Sequence, residues 1–147
     1  RRSLAGVIDF TNDDFAPAQL VDGVTPGPPG MAWMGAAATV EAARRWNEDL
    51  AFACFYVHRP YFGTDDPRFT LRADDFTVAS RTVPQSDLLC LEGVLPATAT
   101  GETVRLTLAV DRPFIPDEVL GDCDRTPKSA LLQKIGLTRT TYYWERP

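Results

Sequence analysis

Hydrophobic and polar positions alternate along most of the second half of the chain. Thr103 to Val110 (TVRLTLAV) is the cleanest case, with Val104, Leu106, Leu108 and Val110 falling on one side. Such a period of two marks a half-buried strand. Arg68 to Ala73 repeats the pattern with Phe69 and Leu71. Phe76 to Val83 and Leu88 to Leu95 follow, and Leu50 to His58 (LAFACFYVH) is a nearly continuous apolar strand. A Thr100-Gly101 turn predicts a hairpin between the last two strands of this run. Near the start, Leu4 to Phe10 (LAGVIDF) reads as a first strand. It ends at Thr11-Asn12-Asp13-Asp14, a turn-forming run.

The stretch between this strand and the later ones reads differently. Pro17, Gly23, Pro26, Gly27, Pro28, Pro29 and Gly30 predict a long irregular loop, and long ordered loops tend to wall functional sites. Met31 to Trp46 (MAWMGAAATVEAARRW) is alanine-rich, free of proline, and apolar nearly all round, which predicts a buried helix. At the other end, Pro113 to Pro116 is a second loop. Thr126, Pro127 and Gly136 suit the cap, first turn and stop of a short helix over Lys128 to Ile135, with a strand over Leu137 to Trp144. The expected architecture is a single α+β domain over residues 1–147, a curved antiparallel sheet wrapped around one buried helix, with a short C-terminal helix and strand.

Composition fits that picture. The chain has 147 residues, of which 44% are hydrophobic and 24% charged, the make-up of one globular domain. Its 15 basic residues are scattered and outnumbered by 20 acidic ones, so nucleic acid is not an expected partner. No apolar run reaches the roughly 20 residues of a membrane span, so no membrane association is expected. Cys54, Cys90 and Cys123 are odd in number and widely spaced. That argues against a disulfide framework, gives no zinc spacing, and points to a reducing, cytoplasmic setting. Because the sequence opens on Arg1, a processed organellar form or a piece of a longer chain stays open. P-loop, GxGxxG, GxSxG and HExxH motifs are missing, so neither cofactor nor metal is expected.

Strand, Pro/Gly-rich loop, buried helix and meander is the element order of the hot-dog fold. Pro28 to Met34 (PPGMAWM) resembles the Pro-Gly approach to the central helix of β-hydroxyacyl carrier-protein dehydratases. Leu50 to Gly63, with Phe69 to Val83 after it, is similar to the post-helix strands of hot-dog acyl-CoA thioesterases. The resemblance spans roughly Leu4 to Val110. It implies an enzyme acting on an acyl thioester carried by CoA or acyl carrier protein, by hydrolysis or acyl transfer, and a homodimer joined near Leu50 to Val57. The chain departs from the dehydratase pattern, however. Its loop Asp13 to Gly30 has no histidine and Met31 to Gly35 no carboxylate, so the acid and base of that reaction are missing.

The catalytic candidates are therefore Asp14 or Asp22 as base, with His58, the chain's only histidine, and Tyr61 as auxiliaries. Gly30, Met31, Ala32, Trp33, Met34 and Phe62 are the substrate-binding candidates. In this reading the Met31 and Ala32 amides at the helix start hold the carbonyl oxygen, and the aromatic residues line an acyl slot. Each candidate also has a plain structural role: turn carboxylate, strand-end histidine, core aromatic. Two rivals follow, a non-catalytic binding or assembly domain and a small β-barrel cyclase or ligand carrier that holds a polyketide-like substrate by shape and aromatics.

Overall fold

The computed structural model describes residues 5–11, 19–45, 48–96 and 102–139. Nine strands form it: β1 (Val7–Asp9), β2 (Leu20–Pro26), β3 (Ala32–Ala43), β4 (Glu48–Val57), β5 (Arg68–Ala73), β6 (Phe76–Thr82), β7 (Asp87–Val94), β8 (Thr103–Val110) and β9 (Ala130–Arg139). The α-helix among the described residues is α1, Pro116–Leu120. All pairings are antiparallel, and the sheet runs β6-β5-β8-β3-β9-β4-β7, with β1 beside β9 and β2 beside β3. It curls until its edge strands nearly meet. A Cβ placed on Gly93 of β7 would lie 2.5 Å from the Val78 carbonyl oxygen of β6. The result is a nearly closed, barrel-like sheet, and the expectation of an α+β hot-dog is corrected: among the described residues no helix lies in the core.

The decisive error concerns Met31 to Trp46, which holds strand β3 rather than a helix. Within it Met34, Ala38, Val40 and Ala42 are fully buried while Trp33, Thr39 and Glu41 are only half-buried. That is a period of two. Alanines at 36, 37, 38, 42 and 43 occupy both sides of the strand and hide the alternation, so composition argues for a helix where geometry makes a strand. Three neighbouring strands supply what local propensity does not: β3 hydrogen-bonds to β2, β8 and β9. Tertiary pairing outweighs a helix preference of a few tenths of a kcal/mol per residue.

The C-terminal expectation fails for the same reason. Lys128 to Ile135 is not a helix but the start of β9, a central strand between β3 and β1 on one edge and β4 on the other. A register shift opposite Cys54 and Phe55 changes its parity, so that Leu132 and Ile135, three residues apart, both point inward. This spacing mimics a helix. Gly136 is not a helix stop; β1 crosses so closely that a Cβ there would sit 2.4 Å from the Gly6 carbonyl oxygen. The strand expected over Leu137 to Trp144 is described only as far as Arg139, within β9.

Part of the predicted loop is β2, whose register slips at Gly23. That residue has φ +87°, and a side chain would strike the Ala37 carbonyl oxygen. Strands β5 to β8 fall where the alternation puts them, but they are no simple meander. The Thr100-Gly101 turn lies outside the described residues, and β7 and β8 are not neighbours, since β8 pairs with β3 and β5 and β7 with β4.

The core fills the inside of the curled sheet. Phe55 of β4 and Phe69 of β5, both fully buried, meet across it with centroids 4.9 Å apart. Gln19, also fully buried, ties β1 to β3: it accepts from the Ala5 N–H and donates to the carbonyls of Ala5 and Glu41. Cys54 and Cys90 form a disulfide between β4 and β7, and Cys123 is free and exposed. The expectation of unpaired cysteines is corrected, and with it falls the cysteine argument for a reducing compartment. No helix is long and apolar enough to cross a membrane among the described residues.

Candidate functional site

His58 closes β4 and precedes a 3-10 turn, Arg59–Phe62, with Pro60 in its first turn. Two things hold the turn in place. The Arg59 N–H donates to Ser86 Oγ, and the Arg59 guanidinium donates to Asp66 Oδ1 and the Gly63 carbonyl. On the last outward position of β4, Tyr56 places its hydroxyl 3.3 Å from His58 Nδ1. Tyr61 then stacks edge-on against His58 at 4.3 Å between centroids and meets Phe114 at 4.9 Å.

Phe114 comes from the second proline-rich loop and is pinned by a reciprocal backbone bridge to Lys128. It packs edge-on against Phe62 at 5.3 Å and against Trp33 at 6.2 Å. The bridge also sets the Lys128 ammonium 5.2 Å above the Trp33 ring, where a cation is attracted to the indole face. Asp124 anchors that ammonium at 3.0 Å. The Thr126 backbone N–H, and after it the Lys128 ammonium, hold the Asp124 carboxyl below its ordinary value. In the sheet below, Trp33, Leu131 and Tyr56 are lateral neighbours on β3, β9 and β4. Tyr56, His58, Tyr61, Phe114 and Trp33 therefore form a continuous arc of rings closed underneath by Leu131. Apart from buried Phe114, its members are half-buried rather than sealed.

The predicted site residues divide among several places. Tyr61, His58 and Trp33 do meet, through Phe114. Met34 lies in the core, fully buried, and Phe62 is buried against Phe114. Gly30, Met31 and Ala32 line an apolar groove of about 420 Å³ with Phe10, Leu20 and Val24. Asp22 is exposed on β2, beside a separate depression with Gly35 and Pro127. Asp14 lies outside the described residues. The predicted oxyanion donors are engaged otherwise: the Met31 N–H bonds the Pro28 carbonyl, and Ala32 is paired in the sheet between Pro26 and Leu132. There is no helix start at this position to supply free amides.

Sequence reasoning missed Phe114 and Lys128. Phe114 was visible as a lone aromatic between Pro113 and Pro116, but nothing local tied it to Trp33. Among the described residues no cluster of side chains suits a metal ion, and no carboxylate is hydrogen-bonded to His58.

No family model matches the chain, and no curated protein does. Among solved structures, it is similar to part of a 4-O-methyl-alpha-glucuronidase with specificity for decorated arabinogalactans, at 13% identity over 75% of this chain, with a TM-score of 0.46. It is likewise similar to part of an exo-beta-1,3-galactanase from Phanerochaete chrysosporium, at 12% identity over 92% of this chain, with a TM-score of 0.42. The chain spans only 14% and 29% of those two proteins.

Proposed function

We propose that the chain is a non-catalytic recognition domain that binds a polar, ring-bearing ligand of the saccharide type on the arc from Tyr56 to Trp33. The observation that carries this reading is the arc itself: rings in unbroken contact, half-buried except for Phe114, with the Tyr56 hydroxyl and the His58 ring nitrogens at its edge and the Lys128 ammonium over Trp33. Aromatic faces hold the C–H faces of a sugar ring, while polar atoms at their edges meet its hydroxyls. A curled sheet of this kind also suits the ligand-carrier reading, which needs shape and aromatics but no covalent step. Acyl-thioester chemistry finds less support, because among the described residues His58 has the Tyr56 hydroxyl rather than a carboxylate as its neighbour and the proposed amide donors are engaged in turn and sheet.

Calorimetry against a panel of neutral gluco-, galacto-, manno- and xylo-oligosaccharides tests the reading. The wild type is expected to bind at least one series, and Trp33→Ala to weaken that binding about tenfold, as loss of one stacking face does. Turnover of acyl-CoA or acyl-carrier thioesters by the wild type, reduced by His58→Gln, would return the enzyme reading to first place.

A further inference from the structure

Adjoining the arc at Tyr61 and Phe114 lies a depression of about 240 Å³, lined by the 3-10 turn, the segment leading into α1 and α1 itself. Tyr61, Phe62 and Phe114 give it an aromatic floor, and Arg112 and Glu118 stand in its wall as one donor and one acceptor. Resting on the saccharide reading above, we propose that this depression is a second subsite of the same surface, taking one neutral, polyhydroxylated ring of a longer chain whose neighbouring unit lies on the Trp33 side. Its volume admits a single ring, and Tyr61 and Phe114 belong to both places, so a ligand crossing them occupies the two together.

The wall chemistry selects neutrality. Arg112 is bound to Asp65 at 3.1 Å and donates weakly, at 3.4 Å, to the Phe62 carbonyl, and Glu118 is bound to Arg125 at 3.3 Å; each of the four charged side chains is more than half exposed. Exposed pairs of this kind contribute little and can be exchanged for ligand contacts at small cost. A guanidinium fork donates to two adjacent hydroxyl oxygens, and a carboxylate accepts from a hydroxyl. An anionic ring gains Arg112 but faces Glu118, and a cationic ring the reverse, whereas a neutral polyol meets no like charge.

The test uses the intact chain and the neutral oligosaccharides of increasing length, with oligosaccharides of the same lengths carrying one glucuronic acid unit as charged probes. Arg112→Gln and Glu118→Gln are expected to weaken binding of the longer oligosaccharides about fivefold each while leaving the shortest bound ligand unchanged, whereas Trp33→Ala weakens both. In the wild type, the amide signals of Gly63 and Val119 shift only with the longer ligands. If both substitutions leave the whole series bound as in the wild type, or those amides do not move, the second subsite is overturned while the arc stands. Tighter binding of a longer oligosaccharide carrying one glucuronic acid unit than of its neutral counterpart, with the Gly63 and Val119 amides shifting, overturns the neutral assignment. Failure of the wild type to bind any oligosaccharide removes both readings together.

Discussion

Cys54 on β4 and Cys90 on β7 stand directly opposite each other across an antiparallel ladder, Cα atoms 4.1 Å apart and joined by a disulfide. Cys54 is buried and Cys90 exposed, so the bridge fastens the last strand of the sheet to its interior neighbour. The two residues are 36 apart in sequence, and a closed loop of that size limits the unfolded chain by about 3–4 kcal/mol in the chain-entropy account. The denatured protein without reductant should therefore offer one reactive thiol, Cys123. The double variant Cys54→Ala, Cys90→Ala should unfold at lower denaturant concentration, and reductant should move the wild type but not the variant. Three reactive thiols in the unreduced chain would count against the bridge.

Strand β3 makes the second prediction. Ala38 and Val40 are fully buried, and Thr39 between them points outward to a hydroxyl contact with Thr107 at 3.3 Å. A charge at Ala38→Asp or Val40→Asp is buried without a partner, at several kcal/mol against a total stability of roughly 5–15. Thr39→Asp stays on the half-exposed outer face, opposite Thr107 on β8 and Asp22 on β2, where water still reaches the new charge and the like-charge neighbour costs little beside burial. Circular dichroism melts should show cooperative folding for Thr39→Asp and none for the other two. Equal behaviour of all three would contradict the strand.

Gln19 should behave as a structural clamp. Three of its hydrogen bonds, at 2.8 to 2.9 Å, satisfy the backbone of Ala5 and Glu41 inside the fold. Gln19→Ala strands those groups and is expected to cost about 2–4 kcal/mol in chemical denaturation. A loss below 1 kcal/mol would mean that water replaces the side chain.

Acid should weaken the fold through two carboxylates. The Thr11 hydroxyl is the chief influence lowering Asp9, helped by the Thr11 N–H and by Lys134, with partial burial opposing them. Asp124 is lowered by the Thr126 N–H and then by Lys128. A carboxyl whose folded value lies below its unfolded one contributes stability that is present above the unfolded value and lost as pH falls through the folded one. The melting temperature should thus fall as pH drops below 3.8, the ordinary value for these groups. Asp9→Asn and Asp124→Asn should each lower it at neutral pH and flatten the acid slope. An unchanged slope in both variants would rule these two carboxyls out as its source.

Strand β4 was legible as a short, nearly unbroken apolar run, and β5 to β8 because their apolar positions alternate with Arg, Thr, Glu and Ser, residues that keep one face wet whatever the strand pairs with. The local sequence therefore determined their existence, and even the inward set Val104, Leu106, Leu108 and Val110, all of it buried. Strands β3 and β9 were not legible: alanines on both faces of β3 erase its period, and a register shift in β9 spaces its inward residues as a helix would. Which strands lie side by side could not be read from any local pattern either. The arc of rings depends on that arrangement, since Trp33, Tyr61 and Phe114 are far apart in sequence and meet only because β3, β9 and β4 are neighbours and Lys128 bridges Phe114 to them. Periodicity records how one segment meets water, whereas strand order and the site it builds come from long-range hydrogen bonds that no single segment contains.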